Sequence, residues 1–364
     1  MTLNKNDIVI ITGIHKKLLI EIMQQINIQN LKPLSFYIPT VSSALELKDY
    51  LGAMKVRWSI GRNNFRVDAG LYKVGKPTSE SDVFVTANYK LSFDTLRKNL
   101  KSIDAWILVL DTKGVNVWCA AGKGTFGTKE LVKRIKAHDL EKIVNHRKVI
   151  VPQLGAVGIA AHEVKDSTGF RVVYGPVRAD DIADFVSSGY KATPEMRRVN
   201  FPIIERVKLI PVELAYGKYY LLLIPAIFLI LSGLNQNGYS ADIALRTGAL
   251  SVSNLLGAYI AGSVLNPILL PWIPFKRFSL KGLLLGWIIA AVLLYFKFLG
   301  SSVIEIISWF MIMGGISSFI AMNFTGASTF TSLSGVQKEM KLALPLQIAA
   351  VSIGFIGWII TRFI

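Results

Sequence analysis

The sequence predicts an α/β domain built on a largely parallel sheet, followed by an all-α membrane domain of five transmembrane helices. Three observations carry this. Short β-branched apolar runs alternate with amphipathic stretches in the first half of the chain. Charge falls away after about Gly217, where long apolar stretches begin. The mean hydropathy of +0.44 is too high for a soluble protein of 364 residues. The expected domains are therefore 1–217 and 218–364.

In the first domain, 83–86, 106–111, 148–151 and 171–174 read as buried strands, and 92–103, 129–138, 156–164 and 179–187 as the helices between them. Ligands of such a sheet sit beyond the carboxyl ends of the strands. That directs attention to the loops at 87–90, 112–127, 152–155 and 175–179.

A membrane span needs roughly 20 apolar residues. Segments 219–234, 249–270, 283–299, 303–322 and 342–360 qualify, each bounded by Pro, Gly or charge. Lys276, Arg277 and Lys281 follow the second span, and Lys338 and Lys341 follow the fourth; Arg246, Lys297 and Arg362 stand nearly alone at the opposite ends. The excess of cations puts those two loops and the first domain on the cytoplasmic side of the inner membrane. Residues 1–7 are polar and lead into a strand-like run at 8–12, so a cleaved signal is not expected. Glu305, at the start of the fourth span, reads as an interfacial carboxylate rather than a proton relay. The hydroxyl-rich segment 323–340, NFTGASTFTSLSGVQKEM, is a candidate docking surface facing the first domain.

The formal charge is +17. Its cations (Arg97, Lys98, Lys133, Arg134, Arg197, Arg198) are scattered and match no nucleic-acid motif, so membrane lipid is the expected partner and nucleic acid is not.

Cys119 is the only cysteine, which excludes an internal disulfide and an intrinsic four-thiolate iron–sulfur cluster. It lies in DTKGVNVWCAAGKGTFGT, 111–128. A Walker loop fails here, because Val117 and Gly124 occupy the required Gly and Ser/Thr places. Gly122, Gly124 and Gly127 have dinucleotide-fingerprint spacing but lie too far beyond the strand. A short helix fits better, capped by Asn116, with Cys119 in its opening turn and Gly122 near its end. Helix amides and Lys123 favour the thiolate that metal ligation requires. Spacing alone leaves a buried apolar filler equally open.

The run NVWCAAGK, 116–123, resembles the cap-helix signature of the mercury-methylating corrinoid proteins, the HgcA family. The resemblance extends through VTANYKLSFD (85–94), QLGAVGIAAHEVK (153–165), GFRVVYGPVRA (169–179), KATPEMR (191–197) and NFTGASTFTSLSG, and covers the five-span tail. The first domain is also similar to the large subunit of the corrinoid iron–sulfur protein, whose cap lacks the cysteine. The resemblance implies a Rossmann-like corrinoid-binding domain, with Cys119 the lower axial ligand of cobalt. Asn116, Val117, Trp118, Ala120 and Lys123 are then implied to line the lower side of the corrin, and Thr86 to lie near its upper face. Gln153, Gly155, Gly175, Val177, Arg178 and Ala179 are implied contacts for the corrin amides or nucleotide tail.

The implied activity is a corrinoid-dependent methyltransferase that takes a methyl group from a methylated folate or a methyltransferase and passes it to Hg(II). The implied reductant is a separate ferredoxin-like iron–sulfur protein, HgcB-like, in an anaerobic cell. A thiolate is a stronger donor than imidazole, and none of His15, His138, His146 or His162 has the D-x-H-x-x-G context of a histidine ligand. Two alternatives remain: a membrane-anchored corrinoid methyl carrier with another acceptor, and a transporter or receptor with a cytosolic ligand-binding domain.

Overall fold

The computed structural model describes residues 38–324 and 333–364. The strand-like run 8–12, His15 and positions 325–332 of the hydroxyl-rich segment lie outside the described residues. Six strands form one sheet: β1 (Thr40–Val41), β2 (Gly70–Val74), β3 (Val83–Ala87), β4 (Ala105–Leu110), β5 (Lys148–Val151) and β6 (Arg171–Tyr174), in the order β1-β2-β4-β3-β5-β6. The four expected strands are its parallel part. β2 adds on antiparallel to β4 and carries β1 beside it. β3 and β4 are buried at every residue, which is why they read as unbroken apolar runs rather than alternating ones. One face packs Val85, Leu108 and Phe126 together, and the other Phe84, Ile107 and Phe185.

The helices of this domain are α1 (Leu47–Arg57), α2 (Lys90–Asn99), α3 (Val117–Gly122), α4 (Thr128–Ala137), α5 (Leu140–Ile143), α6 (Ala161–Thr168) and α7 (Ile182–Ser187). α1 is bound to α2 by ionic contacts. Asp49 Oδ2 meets Arg97 Nη2 at 2.7 Å, Asp49 Oδ1 meets Lys90 Nζ at 2.7 Å, and Asp94 holds the same two cations at 2.8 and 2.6 Å. Arg97 is thus a buried cross-link rather than one of the scattered surface cations expected from the sequence.

The helix expected at 156–164 is a correction. A 3-10 turn occupies Gln153–Gly158, and α6 starts only at Ala161. The turn is pressed against the back of α3: a Cβ on Gly158 would lie 2.1 Å from the Phe126 carbonyl oxygen and 3.2 Å from Ala121 Cα. Both obstacles are backbone, so Gly158→Ala must displace the chain. It is expected to cost about 1–3 kcal/mol, read as a lowered melting temperature of the domain by circular dichroism.

A linker of α8 (Ile203–Val207) and α9 (Ile210–Tyr216) leads to the apolar half, α10 (Lys218–Leu231), α11 (Ala241–Ile260), α12 (Asn266–Leu269), α13 (Phe278–Tyr295), α14 (Val303–Asn323) and α15 (Leu333–Ile360). Among the described residues four helices are long and apolar enough to cross a membrane: Ala241–Leu269, Phe278–Tyr295, Val303–Asn323 and Gly335–Ile360. The expected span at 219–234 is shorter, and reaches spanning length only together with Ile203–Tyr216, from which it bends by 55°. The bend falls at Gly217, where a Cβ would lie 2.2 Å from the Tyr259 hydroxyl; that hydroxyl serves the carbonyls of Glu213 and Leu214 at 3.1 and 3.0 Å.

The second span begins at Ala241 rather than 249 and contains a π-helical turn, Ala261–Leu265. The last begins at Leu333 rather than 342. Glu305, in the first turn of α14, pairs with Arg362 near the end of α15, so its charge is matched in place. Phe201 and Leu209 of the linker pack against Leu270, Phe278 and Phe324. The basic start of α13 therefore lies at the end of the bundle that meets the linker.

Candidate functional site

The chain turns in opposite senses after β3 and β5: the connection from β3 leads to β4 on one side, while β5 pairs on the other side of β3 and leads on to β6. Open α/β sheets bind ligands at such a switch point. A cleft of about 410 Å³ opens there, within the usual range for ligand pockets. Its floor is Phe84, Val85, Thr86 and Ile150; its walls are Tyr89 and Leu91 from the start of α2, Asn116, Val117 and Trp118 from α3, and Gly175 to Ala179 after β6.

α3 forms because its inward positions are small or apolar and its start is capped. Val117, Ala120 and Ala121 occur at helical spacing and enter the core, which turns Trp118 and Cys119 outward. Asn116 Oδ1 accepts a hydrogen bond from the Cys119 amide at 2.9 Å, the cap expected from the sequence. The exposed thiol rules out the apolar-filler alternative.

The structure brings Thr86, Asn116, Val117, Trp118, Gly175, Val177, Arg178 and Ala179 into the cleft lining. It does not bring in Cys119, Ala120, Lys123, Gln153 or Gly155. Cys119 is on the exposed side of the turn beside the cleft. Ala120 is fully buried behind it, and Lys123 is the exposed carboxyl cap of α3. Gln153 is engaged by the Arg197 guanidinium, and Gly155 backs onto the Phe126 ring.

Sequence reasoning missed Asn88 and Tyr89. Asn88 is buried; its Oδ1 accepts from the amides of Thr112 and Gly114 at 3.1 and 3.0 Å, and its Nδ2 donates to Asp111 Oδ1 at 3.2 Å. It fixes the loop that delivers α3. Lys113 and Gly114, at φ of 58° and 74°, make the turn. The signal was an Asn directly after a buried strand within VTANYK, but its partners lie more than 20 residues away. Asn88→Ala is expected to cost about 1–3 kcal/mol for each buried amide left unpaired. Faster proteolytic nicking within 112–127 is the readout.

Residues 43–186 match the family model of the CO dehydrogenase/acetyl-CoA synthase delta subunit. The match holds the whole cleft and ends before the linker helices. The chain is similar to the gamma subunit of the acetyl-CoA decarbonylase/synthase complex of Methanopyrus kandleri, 33% identical over 122 residues, which is 33% of this chain and 26% of that protein. It is similar to the gamma 2 subunit of the same complex in Methanosarcina thermophila, 37% identical over 124 residues, 32% of this chain and 25% of that one. It is also similar to the corrinoid/iron-sulfur protein large subunit of Moorella thermoacetica, 31% identical over 122 residues, 33% of this chain and 27% of that one. The chain thus spans about a quarter of the length of these curated relatives.

Proposed function

We propose that the α/β domain holds a corrinoid at the cleft, with Cys119 as axial ligand to its cobalt, and that the chain is a membrane-anchored methyl carrier passing its methyl group to Hg(II). The observation that carries this is the exposed single thiol on a capped turn beside a switch-point cleft, inside the segment whose relatives include a corrinoid protein.

The residues suit such a group. The thiol is free and exposed, and the small side chains of Thr86, Gly175 and Ala179 leave room for a flat ring. Asn116 and Arg178 offer polar atoms at the rim. A corrin with its nucleotide tail is larger than the cleft and would need the exposed surface of Trp118 and Cys119 beside it as well.

When bound, the corrinoid supplies a cobalt able to carry a methyl group. Within the chain, Asn116 holds the Cys119 amide and so orders the turn that presents the sulfur. A thiolate at Cys119 would be the strong electron donor that suits such a metal for giving up a methyl group to an electrophile such as thiolate-bound Hg(II). Thr86 would lie under the group on the cleft floor and Trp118 beside it in the wall. With one cysteine in the sequence, the reductant is a separate ferredoxin-like iron–sulfur protein; the methyl donor is a methylated folate or a methyltransferase. The apolar helices anchor the domain in the inner membrane, with the cleft and basic loops on the cytoplasmic side.

A second reading keeps the corrinoid and changes the acceptor. It is favoured by the relatives named as acetyl-CoA decarbonylase/synthase subunits. The test is the visible spectrum of the corrinoid-loaded full chain in detergent. A sulfur-ligated band that is lost in Cys119→Ala supports the ligand assignment; identical spectra overturn it. Methylmercury formation then separates the two acceptors.

A further inference from the structure

The helical half contains a second cavity, about 730 Å³, between α13 and α15 with α14 as its floor. Leu283 and Trp287 form one wall, Leu342 and Leu346 the other, and Phe310 and Met311 the base. Trp287, Leu342 and Leu346 are exposed along its open edge. α13 and α14 run antiparallel: Gly282 packs on Ser317, Gly286 on Met313, and Trp287 Nε1 donates to the Phe310 carbonyl at 3.2 Å. Ser318 is therefore at one end of the groove and Ile306 at the other. Their separation along α14 is about 18 Å, close to the depth of one leaflet, half of the roughly 30 Å hydrocarbon core.

The two ends differ in charge. At the Ser318 end the Glu339 carboxylate accepts from the Ser279 amide at 2.6 Å, so this acid is committed to the start of α13. Beside it stand Lys276, Arg277, Lys338 and Lys341. Among the described residues none of these four cations is in an ion pair. At the far end Ile306, Ile307 and Ala350 line the groove, and it is apolar.

We propose that this groove holds one anionic phospholipid, with its phosphate at Arg277 and an acyl chain laid along α14. A trough one leaflet deep, apolar except for the mutually bonded Ser318 and Gln347 and cationic only at its mouth, complements an amphiphile with a net negative head. A zwitterionic head would bring its own cation among the four. The assignment is independent of what the soluble domain carries.

The test uses the full chain purified in detergent, exposed to equal amounts of phosphatidylglycerol and phosphatidylcholine, with retained lipid counted by native mass spectrometry. Each surface cation favours an anionic lipid by about fivefold, so retention of phosphatidylglycerol is expected to exceed that of phosphatidylcholine by about tenfold or more. Arg277→Gln, on an exposed side chain, is expected to lower that preference by about fivefold. Ala343→Trp fills the trough and is expected to abolish retention of either lipid with helix content unchanged. Equal retention of the two lipids, an undiminished preference in Arg277→Gln, or displacement of the lipid by inorganic phosphate overturns the proposal.

Discussion

Replacing Cys119 by alanine is expected to reduce methylmercury formation to that of a reaction without protein. The side chain is exposed and the cap on its amide comes from Asn116, so the substitution leaves the turn standing. Its stability effect should stay within about 0.5 kcal/mol. Loss of activity at an unchanged melting temperature then reports on the sulfur alone. Cys119→His tests the donor rather than the presence of a ligand: it should retain corrinoid and transfer methyl to Hg(II) more slowly than the parent chain. The measurement is methylmercury produced by the purified full chain supplied with an iron–sulfur reductant, a methyl donor and Hg(II). Equal rates for the alanine and histidine variants would contradict the thiolate argument. Retained corrinoid with no methylmercury from any form, the parent included, points to a different acceptor.

Asp49→Asn is expected to be the most destabilising single change in the α/β domain. Asp49 is 5% exposed and meets both Lys90 and Arg97. Its loss leaves a buried guanidinium short of one carboxylate. Breaking a buried pair this way costs about 3–5 kcal/mol, a drop on the order of 10 °C in the melting temperature of a domain this size. The effect should depend on pH. Burial pushes the Asp49 carboxyl up, but hydrogen bonds from Lys90, the Glu46 amide and Arg97 outweigh it and hold it well below its ordinary value of 3.8. A depressed folded-state value means that the stabilisation is complete above the unfolded value and is lost as pH falls toward the folded one. The gap between parent and variant should therefore be full at pH 7 and narrow below pH 3.8. Thermal unfolding of both chains across that range checks it; a gap that widens in acid would be the wrong sign.

What was legible in the sequence followed from local physics. β3 and β4 were readable because they are buried on both faces, so their apolar runs are continuous, and β5 and β6 because KVIV and RVVY are β-branched at their centres. β2, GLYKV, was not, because Gly and Lys interrupt it and its partner is chosen by the sheet rather than by its own pattern. The capped turn was readable because Asn116 and its amide partner are three residues apart. Asn88 was not, because it acts across more than 20 residues. The helix expected from 156 obeyed the apolar spacing, but Gly158 answers to Phe126 and Ala121, which no periodicity reveals.

The same distinction governs the spans. Hydropathy locates apolar length, not helix length. α11 starts early, through an Asp242–Arg246 ion pair, and α15 through Lys338 to Lys341, segments too polar for an apolar window but helical all the same. The first span differs for the opposite reason: its apolar run is shorter than a span, and a bend at Gly217 divides it from the helix Ile203–Tyr216, with which it reaches spanning length.

At that bend, the last carbonyls of α9 are satisfied by a phenol belonging to α11 rather than by the backbone that continues from them. The path of the chain from the α/β domain into the apolar half is thereby held by a residue of that half. A shift of α11 by a fraction of a helical turn would therefore be felt at this joint while both halves stayed folded, so the course of the linker answers to the apolar bundle.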